Sequence, residues 1–91
     1  MTEDWLKIIN YHGIDEQIKH WFTEVYELVQ AIERDDGTME SKNKIMSELA
    51  DNFNFLKQIQ VFYQIDNKEL ELEQLYKNQR TLDEMRRKGG C

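Results

Sequence analysis

Proline is absent from this chain, and in 91 residues glycine occurs four times and cysteine once. With so few backbone breakers and charged residues at 33%, the composition suits helices joined by short loops, and an all-α fold is expected. The lone cysteine, Cys91, is the last residue. That excludes an internal disulfide and fits a reducing cytoplasm. No stretch is apolar for long enough to span a membrane or to read as a signal peptide. Basic residues are also short: 12 Lys and Arg face 18 Asp and Glu, a net charge of −6. A basic patch is the usual footprint of nucleic-acid and anionic-membrane binding, so neither partner is expected, whereas a phosphorylated ligand that arrives with a metal ion remains compatible.

The length bounds one small domain, expected over residues 1–88, with Gly89-Gly90-Cys91 as a disordered tail. A core of this size is barely sufficient alone, so a homodimer or homotetramer is expected. Caps and periodicity mark about four helices. Thr2 caps a turn or two carrying Trp5, Leu6, Ile8 and Ile9, which Gly13 stops. Asp15 caps a second helix that runs to about Arg34, where Asp35-Asp36-Gly37 supplies turn chemistry. A third helix runs from near Ser41 to about Gln64, and Asp66 caps a fourth, with Glu69 in the capping-box position. The fourth is the most hydrophilic. Its apolar stripe of Leu70, Leu72, Leu75, Leu82 and Met85 is interrupted, and Lys77, Arg80, Arg86, Arg87 and Lys88 gather toward its end.

Two pairs of carboxylates stand out: Glu24 with Glu27 in TEVYEL, and Glu48 with Asp51 in SELAD. Residues three apart share a helix face, with Cβ atoms about 5–6 Å apart, so each pair aims two acids at one point. Phe22, Val25, Leu28, Val29 and Ile32 flank the first pair, and Ile45, Leu49, Phe53, Leu56 and Ile59 the second. Their spacing is that of buried helix faces. Gln17, His20, Glu24, Glu27 and Ala31 form one strip, and Lys44, Glu48, Asp51 and Phe55 a second. An antiparallel hairpin sets such strips face to face. Four acids beside low-dielectric packing repel one another unless a cation neutralises them. An oxygen-only set suits a hard ion, Mg2+ first, with Mn2+ as the alternative. The competing reading is four solvated helix acids. A di-iron centre lacks its Glu-x-x-His pairs, since neither His12 nor His20 follows a glutamate by three. Zinc lacks nitrogen and sulfur ligands, and no phosphate-cradling glycine loop or nucleophilic triad is present.

The run TEVYELVQAI, a short insert and then SELADNFNFL resemble the MazG-like all-α nucleotide pyrophosphohydrolases, whose pattern is E-x-x-E followed by E-x-x-D. YHGIDEQIKHWFTEVYEL and YKNQRTLDEM extend the resemblance over roughly residues 8–86. It implies a small helical bundle, assembled as an oligomer, that hydrolyses a nucleoside triphosphate (dNTP or NTP) to monophosphate and pyrophosphate. By the same resemblance Glu24, Glu27, Glu48 and Asp51 ligate Mg2+, Glu24 or Glu27 takes the proton from water, Lys77 and Arg80 reach the phosphates, and Gln17, His20 and Asn54 line the substrate pocket. The chain departs from the family pattern at Thr23, where many members double the glutamate, and at His20, where lysine is frequent. Two alternatives stay open: a nucleotide-binding member without turnover, and a non-catalytic helical interaction module such as a small phage or plasmid regulator.

Overall fold

The computed structural model describes residues 2–89. Among them are four helices and no strand: α1 (Thr2–His12), α2 (Ile14–Glu33), α3 (Met39–Phe62) and α4 (Asn67–Arg87). The all-α expectation holds. None of the helices is long and apolar enough to cross a membrane. Of the expected tail, residues 90 and 91 lie outside the described residues.

Several boundaries differ from the sequence reading for local reasons. Three turns of α1, rather than one or two, precede Gly13, whose φ of 83° is costly for any residue with a Cβ. The second helix starts at Ile14, so Asp15 is a first-turn residue and not the cap; Gly13 holds that position without a side-chain bond. There Asp15 and Glu16 still complement the positive end of the helix dipole. The third helix begins two residues before Ser41 because Thr38 is its cap, accepting from the Ser41 backbone N–H. Asp36 reinforces that cap: its Oδ1 accepts from the Thr38 N–H at 3.0 Å and from the Thr38 and Ser41 hydroxyls at 2.6 Å. The Ser41 and Thr38 bonds hold the Asp36 carboxyl down at about 2. The same helix ends in a Schellman turn, with Ile65 N–H on Gln60 O and Gln64 N–H on Val61 O. Gln64 takes the left-handed φ of 55° that glycine usually supplies. Asp66 caps α4 as expected, accepting from the Lys68 and Glu69 N–H groups.

The first three helices pack on one another, α2 mainly against α3 with α1 against both, whereas α4 meets α3 only at its own start, where the Gln60 amide donates to Asn67 Oδ1. Only Leu70 of α4 is even partly buried. The antiparallel α2–α3 hairpin closes on its polar strips. Its interior holds Gln17, Ala31, Glu48, Asn52, Phe55 and Gln58, and Ile9 of α1 is the most buried apolar residue, 1% exposed. The apolar faces read as core do not close on each other. Phe22, Val29, Ile32, Leu49, Phe53 and Leu56 are exposed, Phe22 at 67% and Phe53 at 57%. They lie on the outer sides of α2 and α3, left open by the helices of this chain.

Candidate metal centre

The acid strips meet midway along the hairpin. Glu24 and Glu27 reach across from α2 and Glu48 from α3, and one carboxylate oxygen of each lies within 4.8 Å of the others. This juxtaposition follows from hairpin register: at one end Gln17 Nε2 donates to Gln58 Oε1 at 2.7 Å, and in the middle the Asn52 amide donates to Glu24 O at 3.1 Å. The Glu48 side chain is 6% exposed and that of Glu24 14%.

Each of these two acids has a basic neighbour one turn earlier on its own helix. Lys44 Nζ stands 2.9 Å from Glu48 Oε1, and His20 Nε2 stands 3.6 Å from Glu24 Oε1. The second oxygens, Glu24 Oε2 and Glu48 Oε2, are buried and accept no hydrogen bond. A buried carboxylate oxygen without a partner is costly. Two of them in one three-carboxylate cluster are an arrangement that a hard divalent cation would relieve. The electrostatics agree. Burial first, then the negative charges of Glu27, Asp51 and Glu48 around it, push the Glu24 carboxyl above its ordinary value of 4.5. Lys44 is pushed up by its hydrogen bond to Glu48 and by that carboxylate's charge.

A carboxyl raised in the folded state stabilises the fold while protonated; its contribution is whole below the ordinary value and is lost as pH rises through the raised one. Glu24→Gln fixes the neutral form. Metal-free wild type and variant are therefore expected to melt together in mild acid and to separate as pH rises, the variant being the more stable at neutral pH. Melting curves in chelator across this range measure the gap, and parallel curves would show that Glu24 carries no such strain.

The remaining predicted residues are distributed unevenly. Asp51 stands outside the three-carboxylate group, although its charge still bears on Glu24 and Lys44. Gln17 is buried inside the helix interface, bonded to Gln58, rather than open to a ligand. His20 is exposed beside the cluster and meets Phe55 edge-on, ring centroids 5.4 Å apart. Asn54 is exposed and the structure gives it no side-chain bond to the cluster. Lys77 and Arg80 lie on α4, which does not pack against the acid-bearing helices of its own chain. A cavity of about 440 Å³ adjoins the cluster, its charged lining residues being Glu27 and Glu40 against Arg34 and Lys44.

Asn52 and Lys44 are the residues at the cluster to which sequence reasoning gave no role. Lys44 had a signal, since it precedes Glu48 by one turn. Asn52 had an ambiguous one. From Glu48, position 51 is displaced about 60° one way around the helix and position 52 about 40° the other, so periodicity admits either on the inner strip. Comparison of the chain with protein-family models, curated proteins and solved structures finds no match.

Proposed function

We propose that this chain is a Mg2+-dependent nucleoside triphosphate pyrophosphohydrolase, releasing pyrophosphate and a nucleoside monophosphate, and that it works in the cytoplasm as a homodimer or homotetramer. The observation that carries this reading is the pair of buried, unpartnered oxygens of Glu24 and Glu48 beside Glu27. It agrees with the resemblance of the two acid motifs to the MazG-like enzymes.

Glu24, Glu27 and Glu48 would hold the ion, with Asp51 at their flank. A bound Mg2+ supplies positive charge for the polyphosphate oxygens and makes water at the site more acidic. The protein's own part is positional and protonic. Glu24 or Glu27, whichever keeps an oxygen free of the ion, accepts the proton of the attacking water. Water attacks the α-phosphorus in line, and the bond to the bridging oxygen breaks, so that pyrophosphate leaves. Lys44 and Arg34 border the adjoining cavity opposite Glu27 and Glu40, so a phosphate chain there depends on the charge of the bound ion. Lys77 and Arg80 reach the phosphates from a neighbouring subunit, because α4 does not fold back on its own acids.

The exposed apolar faces favour a second reading, a helical interaction module, and Thr23 at the leading motif position keeps open a third, a member that binds nucleotide without turnover. Pyrophosphate release from a panel of ribo- and deoxyribonucleoside triphosphates, with and without Mg2+, separates them. Release that requires Mg2+ and that chelator abolishes is expected. No release from any nucleotide by the folded protein would select the module, and binding without release the inactive member.

A further inference from the structure

We propose that Asn52 is a positioning residue for the metal centre, locking the two acid-bearing helices in the register that Mg2+ requires. The proposal rests on the metal reading of Glu24, Glu27 and Glu48. Its starting point is a single buried side chain, 7% exposed, that makes three hydrogen bonds. Asn52 Nδ2 donates to Glu48 O at 2.8 Å, one turn back on α3, and to Glu24 O at 3.1 Å across the interface on α2. Its Oδ1 accepts from Trp21 Nε1 at 3.2 Å. The amide orientation is fixed by this set: turned over, it would face oxygen to two carbonyls and nitrogen to an indole N–H.

Both carbonyls belong to ligand residues. The amide therefore ties together the main chain of the two helices at the very positions whose side chains converge, and a slip or rotation of α2 on α3 breaks the Glu24 bond first. Trp21 makes the tie directional by holding the amide's oxygen side. The two amide hydrogens are both used. A general packing role would be filled as well by an apolar residue of this shape, and each helix carbonyl already has its own intrahelical partner. The two added bonds are needed where register has to be held to within a fraction of an ångström.

That distinction has a chemical signature. Mg2+ demands near-ideal octahedral geometry, whereas Ca2+ accepts variable coordination. Loss of a positioning residue therefore weakens Mg2+ more than Ca2+, whereas general softening of the fold weakens both alike. Asn52→Leu keeps the shape and removes the amide's donors and acceptor; Trp21→Phe removes the bond that orients the amide together with part of the ring's packing, which the Mg2+ to Ca2+ ratio separates. Ile9→Val, in the α1 contact, is the control for lost stability. Apparent Mg2+ and Ca2+ dissociation constants are read from melting temperature against ion concentration, at fixed protein concentration. Asn52→Leu is expected to weaken Mg2+ about 10-fold or more, in the range of other outer-shell losses. Ca2+ is expected to change far less, Trp21→Phe to show a smaller loss of the same kind, and Ile9→Val to leave both constants unchanged. Unchanged Mg2+ affinity in Asn52→Leu, or equal weakening of both ions, overturns the proposal. So does the same Mg2+ loss in Ile9→Val. If Asn52→Leu does not fold, Trp21→Phe decides by the same ratio. Wild type that neither Mg2+ nor Mn2+ stabilises overturns the metal reading itself, and this proposal with it.

Discussion

Glu48→Gln is expected to lower Mg2+-dependent pyrophosphate release by at least about 100-fold while leaving the metal-free chain folded, since loss of a ligand that holds the catalytic ion removes several kcal/mol of charge stabilisation. The substitution keeps the volume of the most buried acid and retains an oxygen for Lys44, 2.9 Å away in the wild type. It removes the negative charge from a carboxylate whose Oε2 has no partner. Metal-free stability therefore changes little, because a lost ion pair with a largely exposed lysine is offset by relief of a buried charge. The ion-dependent part does change. At 100 times its dissociation constant a ligand stabilises the folded state by about 2.7 kcal/mol, which for a domain of this size raises the melting temperature by roughly 10–20 °C. That shift is expected in the wild type and is expected to vanish in Glu48→Gln. Thermal melts with and without Mg2+, alongside the pyrophosphate assay, check both halves. Unaltered Mg2+ stabilisation in the variant would remove Glu48 from the metal centre.

Restored activity on mixing two inactive variants is the second large effect. If α4 serves a neighbour's acids, Glu48→Gln and the double variant Lys77→Ala/Arg80→Ala fail for different halves of one composite site. In a mixed dimer one site carries both defects and the other carries neither, so random exchange of subunits returns about a quarter of wild-type turnover. The physical basis is what the protomer leaves open: α4 unpacked with Leu72, Leu75, Tyr76 and Met85 exposed, and the outer faces of α2 and α3 bearing Phe22, Val29, Leu49 and Phe53. A patch of this kind on a chain otherwise rich in charge marks an association surface. Phe53→Asp places a charge in it and is expected to shift sedimentation toward monomer and to lower turnover with it. A folded wild-type monomer at micromolar concentration, or mixtures no more active than their parts, would return Lys77 and Arg80 to the role of surface charge.

Local chemistry was legible residue by residue. Asp66 caps α4 and the Asp35-Asp36-Gly37 turn separates α2 from α3 because such bonds span only a few residues and depend on nothing distant. The start of α2 was misread because Asp15, a good cap in isolation, competes with Gly13, whose positive φ reverses the chain two residues earlier. The polar strips were legible too, since residues three and four apart share a face whatever surrounds the helix.

Periodicity names the faces of a helix and leaves open which neighbour each face meets. The apolar stripes of α2 and α3 were recognisable as stripes; the hairpin closed on the facing polar strips, as their spacing led one to expect, and left most of the apolar stripes outside rather than in a core. The rotation of α3 that brings Asn52 inward and leaves Asp51 at the margin is a choice among angles that sequence spacing permits equally. Long-range bonds, Gln17 to Gln58 and Asn52 to Glu24, make that choice. The sequence by itself determined the all-α class, the turns and the grouping of the acids into two pairs, because those rest on interactions within a turn or two of helix. Only the tertiary structure decided which three carboxylates converge and which of their oxygens are left buried without a partner. It also decided that Lys77 and Arg80 stand apart from the acids of their own chain, because each of these depends on how separate helices are rotated and placed against one another.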